Sequence, residues 1–291
     1  MYQIVEKEFL VPNMIYIKVK APGIARAALP GQFVMIRVDE TGERIPMSLA
    51  GLDRDAGTID ITFYVIGTST MKLATLGEGD YIQNVVGPLG IPSEINNYGC
   101  VICACGCFGI GPTLMLAEAL KEKGNRVITI VEGRGRDFVF WVDRLKEVSY
   151  ETHVVFGDGC CEGGRWSEDL IRSYLERKEE INRIYAYGCP FMMMECSRAS
   201  RPFGVKTIVS LTPLMVDGTG MCGSCRVEVG GETKFACVDG PAFDGHEVNW
   251  ELLIHAQRRF IPEEYRSLNL WERENWHKLV YAQPQAELIR M

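Results

Sequence analysis

Short runs of alternating hydrophobic and polar positions fill the first ninety residues. Ile15, Ile17 and Val19 alternate with polar neighbours, Phe33 to Val38 is rich in β-formers, and Ile59, Ile61 and Phe63 alternate again. Turn signals at Pro30-Gly31, Thr41-Gly42 and Gly87-Pro88 separate these runs, and one short helix is predicted over Thr70 to Leu76. Evenly spaced strands with so little helix predict a small antiparallel barrel. Gly90-Ile91-Pro92 ends it.

From Cys100 the period changes. A strand (Cys100 to Cys105) runs through a glycine loop into a helix (Pro112 to Lys123) and a second strand (Arg126 to Val131). Pro112 suits a first helical position and Gly124 a helix end, so the segment reads as a βαβ unit. Two further alternations follow, His153 to Phe156 with Ser167 to Arg177, then Arg183 to Tyr187 with Phe191 to Ala199, ending in Lys206 to Leu211. This order predicts a doubly wound parallel sheet. Past Pro213 the chain is rich in glycine and cysteine to about Gly245, then helical near Glu247 to Arg258, then polar with aromatic residues. The expected division is therefore 1–95, 96–212, 213–250 and a C-terminal extension, 251–291.

Composition narrows the function. With 47% hydrophobic and 24% charged residues the chain is an ordinary globular one. Its net charge of −7, with no Lys/Arg block, argues against nucleic acid as a partner. Ile95 to Ala117 lacks formal charge, but Gly99, Gly106, Gly109, Gly111 and Pro112 would break a membrane span. Eleven cysteines and an N-terminal run, MYQIVEKEFL, without the apolar core of a secretory signal predict a reducing cytoplasm with some thiols as metal ligands.

The strongest chemical signal is Asp217-Gly-Thr-Gly-Met-Cys222-Gly-Ser-Cys225, followed by Cys237 beyond a hairpin around Gly230-Gly231. Its gaps equal the plant-type two-iron spacing C-x4-C-x2-C with a distant fourth Cys, except that Asp217 takes the first position. A carboxylate binds iron, so Asp217, Cys222, Cys225 and Cys237 form a candidate 2Fe-2S ligand set. Structural zinc on Cys222, Cys225, Cys237 and His246 is the rival. Gly106-Cys-Phe-Gly109-Ile-Gly111-Pro112 sits where backbone amides and a helix N-terminus can meet a pyrophosphate. Glu132 closes the next strand, where ribose hydroxyls are read. A carboxylate there repels a 2′-phosphate and points to NAD(H), while Arg134 and Arg136 leave NADP(H) open. In the barrel, Arg44, Pro46 and Ser48 share one strand face, suited to a flavin, and Gly67 to Thr70 can add amides and hydroxyls. Cys103, Cys105 and Cys107 are read as core packing, as is the run Met192 to Met194.

RIPMS in the barrel, the Gly-rich βαβ unit, GCPFMM before the last predicted helix and SLTPLMVDGTGMCGSCRVEVGGETKFACVDGP together resemble the ferredoxin-reductase-like electron-transfer subunits, over about residues 1 to 250. That family includes the electron-transfer subunit of dihydroorotate dehydrogenase and the small subunit of NADH-dependent ferredoxin:NADP oxidoreductase, also called a sulfide dehydrogenase subunit. Asp217 is similar to the second group, where the first uses Cys. The resemblance implies FAD held by Arg44, Pro46 and Ser48, with Gly67, Thr68 and Thr70 near its phosphates and Ser48 near the reactive edge. It implies nicotinamide contacts at Gly109, Gly111, Asp158, Gly188 and Cys189, although Gly188-Cys189-Pro190 departs from the commoner Cys-Gly-Pro order. It further implies a larger flavin and iron-sulfur partner subunit, of the glutamate-synthase small-subunit type, capable of electron bifurcation. Two readings compete with this one: a dihydroorotate dehydrogenase subunit, and a regulatory nucleotide-binding module with a zinc hairpin. For the extension, Trp271, Trp276 and Tyr281 suggest partner contact, with a tail folded back on the barrel as the alternative.

Overall fold

The computed structural model describes residues 1–156 and 166–282, the last seven of these by backbone alone. Asp158 and the thiols of Cys160 and Cys161 lie outside the described residues, as do the side chains of Trp276 and Tyr281.

The N-terminal sheet contains β1 (Tyr2–Val11), β2 (Met14–Lys20), β3 (Phe33–Arg37), β4 (Arg44–Asp53), β5 (Thr58–Tyr64), β6 (Tyr81–Ile82) and β7 (Asn84–Leu89), in the order β6-β1-β2-β5-β4-β3-β7. Every pairing is antiparallel. Only Gln83 separates the two edge strands β6 and β7, so the sheet nearly closes on itself. The alternation seen in the sequence sets which face is inside. Ile15 lies opposite Phe63, Ile17 opposite Ile61 and Val19 opposite Ile59. All six are buried in the barrel core, each contributing about 1.5–3 kcal/mol of burial. Two helices accompany the barrel, α1 (Pro22–Ala27) and α2 (Thr68–Thr75). The first is absent from the sequence reading. It has six residues, too few for a periodic signal, and Pro22 at its first position was the available cue.

The second sheet contains β8 (Cys100–Gly106), β9 (Arg126–Gly133), β10 (Glu151–Phe156), β11 (Arg183–Tyr187) and β12 (Thr207–Ser210), with α3 (Ile110–Glu122), α4 (Val142–Val148), α5 (Ser167–Glu176) and α6 (Pro190–Ser200) between them. Its order is β10-β9-β8-β11-β12, all parallel, with a short antiparallel strand from the C-terminal segment on the β12 edge. The chain therefore winds outward from β8 one way and from β11 the other, so the topological switch lies between those two strands. Helix α4, which supplies the β9–β10 crossover, was not foreseen; its seven residues bury only Leu145. Pro112 is the third residue of α3, because a 3₁₀ turn over Cys107–Gly109 and two helical residues precede it. Gly124, at φ +87°, follows the helix end as expected.

Beyond Pro213 come the hairpin β13 (Arg226–Val229) and β14 (Glu232–Phe235), then β15 (Ala242–Asp244), which adds to the edge of the parallel sheet. Helix α7 (Trp250–Gln257) begins at Asn249, whose side chain accepts the Leu252 amide at 3.1 Å. The described part of the extension is helical: α8 (Ile261–Ala282) packs against α2, and Thr68 Oγ1 and Ser267 Oγ share a hydrogen bond of 2.9 Å. This much of it lies folded back on a helix of the barrel.

Candidate functional site

Three neighbouring stations lie along the molecule. The first is the outer face of β3 and β4. Arg44, Pro46 and Ser48 alternate with Ile45, Met47 and Leu49, of which Met47 and Leu49 fill the barrel core. Across the strand pair Arg44 lies opposite Arg37, Pro46 opposite Met35 and Ser48 opposite Phe33. Directly opposed residues share a face, so the three candidates do face one way. Arg44 is exposed and has no hydrogen-bond or ion-pair partner among the described residues, and its guanidinium suits a phosphate.

Helix α2 starts close by, but its hydroxyls are partly committed. Thr70 Oγ1 accepts the amides of Ile66 and Gly67 at 3.0 Å and donates to the Gly67 carbonyl at 2.9 Å. Thr70 therefore caps its own helix, and Thr68 is engaged by Ser267. For an anion the helix still offers first-turn amides. Arg44, Ser48 and those amides are groups of the kind that would hold a flavin diphosphate, with Thr70 in a supporting position.

The second station is a cavity of about 560 Å³ at the switch point, lined by Gly106, Cys107, Glu132, Glu168, Cys189 and Glu195 among others, and closed on the barrel side by Pro12, Met14 and Tyr64. It lies beyond the carboxyl ends of the strands, where open α/β sheets bind ligands. The glycines divide into two kinds. A Cβ on Gly109 would strike the Tyr187 carbonyl oxygen, and one on Gly111 would strike Thr62 Oγ1 and lie 3.0 Å from Ala50 Cβ. Both are buried. Gly109 thus permits β8 and β11 to converge and Gly111 lets α3 sit on the barrel, so neither faces the cavity as the motif suggested. Gly188 is likewise buried, 3.1 Å from the Gly106 carbonyl by the same test, whereas Cys189 is exposed at the cavity.

Cys107 is core only in part, packed against the cluster of Cys105, Ile110 and Leu114. Cys103 and Cys105 are fully buried, and burial pushes the Cys103 thiol up to about 12. Cys107, however, follows the strand end at φ +52°, is half-buried and lines the cavity. Burial raises its pKa, with Cys189 adding to the effect. Its place after Gly106 was the missed signal. Met192, Met193 and Met194 are buried as expected, although Met192 also touches the cavity.

Glu132 accepts the Ser167 amide at the start of α5 at 2.9 Å, and burial raises its pKa. Glu168 is pushed up to about 7, by burial first and then by Glu132, Asp169 and Glu195. Three carboxylates thus surround the cavity. Arg134 lines the same cavity, so acidic and basic side chains both face a bound dinucleotide.

At the third station the loop from Asp217 turns on Gly218, Gly220 and Gly223, at φ +77°, +86° and +66°. Asp217 accepts the amides of Thr219 and Cys222, each at 2.8 Å, and the Thr219 bond leads in holding its pKa down. Hairpin β13–β14 brings Cys237 to Cys225, with Sγ atoms 3.2 Å apart. That is too long for a disulfide of ~2.05 Å and somewhat shorter than the ~3.8 Å between two sulfurs on one tetrahedral metal with ~2.3 Å bonds, so the two thiols are near enough to share a metal after a small adjustment. No three His, Cys, Asp or Glu side chains converge on a single point among the described residues. The four candidates are neighbours in the folded loop and hairpin: Asp217 accepts the Cys222 amide, and the Cys225 thiol lies beside that of Cys237. Thiolate and carboxylate donors of this kind suit iron. His246, the fourth zinc candidate, points its Nε2 to Ser200 Oγ at 2.9 Å.

A family model for the iron-sulfur cluster binding domain of dihydroorotate dehydrogenase B matches residues 212–249. The dihydroorotate dehydrogenase B (NAD(+)) electron transfer subunit homolog of Thermotoga maritima is 42% identical over 263 residues, 90% of this chain and 92% of that protein. The corresponding electron transfer subunit of Desulforamulus reducens is 30% identical over 250 residues, 83% of this chain and 95% of its own length. Among solved structures, a chain of the NADH-dependent reduced ferredoxin-NADP oxidoreductase, studied for flavin-based electron bifurcation, superposes with a TM-score of 0.86 at 38% identity, covering 96% of this chain and 98% of that one. A ferredoxin NADP+ reductase from Neisseria gonorrhoeae, solved with FAD and NADP, shares the fold at a TM-score of 0.57 and 18% identity, over 70% of this chain and 90% of that one. No helix among the described residues is long and apolar enough to cross a membrane. By identity across nearly the full length of both chains, the protein belongs to the family of dihydroorotate dehydrogenase B-type electron-transfer subunits.

Proposed function

We propose that the chain moves electrons between NAD(H), FAD and a 2Fe-2S cluster as the smaller subunit of a cytoplasmic, electron-bifurcating complex. When bound, FAD takes a two-electron hydride from NADH and gives electrons up singly, and the cluster accepts one at a time. The chain's own residues bind and orient. Arg44 and the first turn of α2 offset phosphate charge, while Pro46 and Ser48 seat the flavin on the outer barrel face. Glu132 receives the ribose hydroxyls and, with Glu168 and Glu195, selects against a 2′-phosphate. Asp217, Cys222, Cys225 and Cys237 would hold the cluster.

The observation that carries this reading is the neighbouring placement of those four donors against the strand next to the flavin face. A larger catalytic subunit follows from the family. We take it to be a flavin and iron-sulfur protein of the glutamate-synthase small-subunit type, on the resemblance that Asp217 carries to the ferredoxin:NADP oxidoreductase group. The proposed division is a flavin barrel (1–95), a dinucleotide domain (96–212), a cluster hairpin (213–250) and the extension (251–291). Thiolate ligands that must stay reduced favour the cytoplasm.

Cofactor analysis of the purified protein tests the reading. The expected preparation is yellow-brown with ~2 iron per chain, and NADH bleaches it with a kcat/KM about 100-fold above that of NADPH, since like-charge contacts cost several kcal/mol. A colourless protein containing zinc would overturn it.

A further inference from the structure

The flavin face and the cluster loop meet at one side chain. Met35 lies on β3 directly opposite Pro46, and Phe33 directly opposite Ser48, so both project from the face that carries the flavin candidates. Neighbouring strands stand ~4.8 Å apart. Met35 also belongs to the same packed cluster as Cys225, Ala236 and Cys237. Gly218, the residue after Asp217, sits so close that an added Cβ would lie 2.6 Å from Met35 Cγ, 2.9 Å from Leu89 Cδ1 and 3.3 Å from Met35 Sδ. Met35 itself is 1% exposed. Gly218, at φ +77°, is the only kind of residue that lets the loop settle this near.

We infer that Met35 is the positioning residue that sets the gap between flavin and cluster and fills it with protein rather than water. The inference rests on the proposed flavin and cluster sites. In the step it serves, the NADH-reduced flavin loses one electron and a proton, the electron converts one ferric iron to ferrous, and the proton passes to water. No bond of the protein changes. Thioether and methylene atoms suit this place because they are apolar, polarizable and adaptable in shape.

The test compares Met35→Ala, Met35→Val and Met35→Leu in the full chain. Iron and FAD content, cluster circular dichroism and flavin fluorescence report whether both groups are seated. Stopped-flow absorbance separates flavin reduction by NADH from the later bleaching of the cluster. Ala and Val variants are expected to hold both groups and reduce flavin at the parent rate, with cluster reduction slowed about tenfold or more, as displacements near 1 Å do to aligned reactions. Leu, which conserves volume, keeps the parent rate. Cluster reduction at the parent rate in both Ala and Val variants overturns the inference while leaving the proposed function intact. Loss of either group from both variants also counts against a role confined to spacing. A parent protein that holds no flavin or no iron sinks the proposed function instead.

Discussion

The Asp217→Ala protein is expected to elute yellow rather than brown, with iron falling from ~2 per chain to near zero and FAD unchanged. In the folded chain the Asp217 carboxylate does two things: it would supply one of four ligands, and it holds the amides of Thr219 and Cys222. Both amides lie in an exposed stretch and can turn to water, so the loop loses order without unfolding the domain. The cluster has no such substitute, because the three thiols alone cannot complete its ligand set. Arg44, Pro46 and Ser48 belong to a different sheet and keep their register. Asp217→Cys is the companion variant, expected to retain iron with an altered spectrum. Unchanged iron in Asp217→Ala would show that the first ligand lies elsewhere.

The second large effect belongs to Gly109→Ala. Its Cβ meets backbone on the adjacent turn, the Tyr187 carbonyl and the Gly188 nitrogen at 2.8 Å, in place of a side-chain tip that could swing away. Either β11 moves from β8 or α3 shifts off the barrel, and both movements spoil the cavity. A cost of about 3 kcal/mol is expected, lowering Tm by about 6–12 °C, together with weakened NADH binding. Gly23→Ala is the control. It lies in α1 with no atom within 4 Å of the added Cβ, so Tm should hold or rise. Thermal unfolding of the two variants side by side checks the argument, and equal Tm values would contradict the packing role of Gly109.

The parallel sheet was legible where burial was continuous. Arg183 to Tyr187 was placed to the residue, because a strand enclosed on both faces shows an apolar run bounded by polar signals. Helices α1 and α4 were not legible, since six- and seven-residue helices burying one or two side chains leave no period to read. Helix α8 was missed for a different reason: it is exposed along most of its described length, so little hydrophobic stripe marks it.

At the site, ligand spacing was readable because a loop ligand set is local in sequence. The roles of Gly109 and Gly111 were not, because what a glycine permits depends on the surface it approaches, here β11 for one and β5 for the other. Cys107 shows the same limit. Alternation put it on the strand face of Cys103 and Cys105, and only the turn after Gly106 brings it to the cavity while it still packs on the core. Cys225 and Cys237, the third and fourth ligand candidates, come together through a hairpin whose two glycines, Gly230 and Gly231, both adopt positive φ, a pattern the sequence does announce.

Electron paramagnetic resonance of the dithionite-reduced full chain bears most directly on the central claim. A cluster held by Asp217, Cys222, Cys225 and Cys237 should give one unpaired electron for every ~2 iron atoms, appearing on reduction and absent from the Asp217→Ala protein. A reduced sample with no such signal, or one whose signal survives that substitution, would contradict the account.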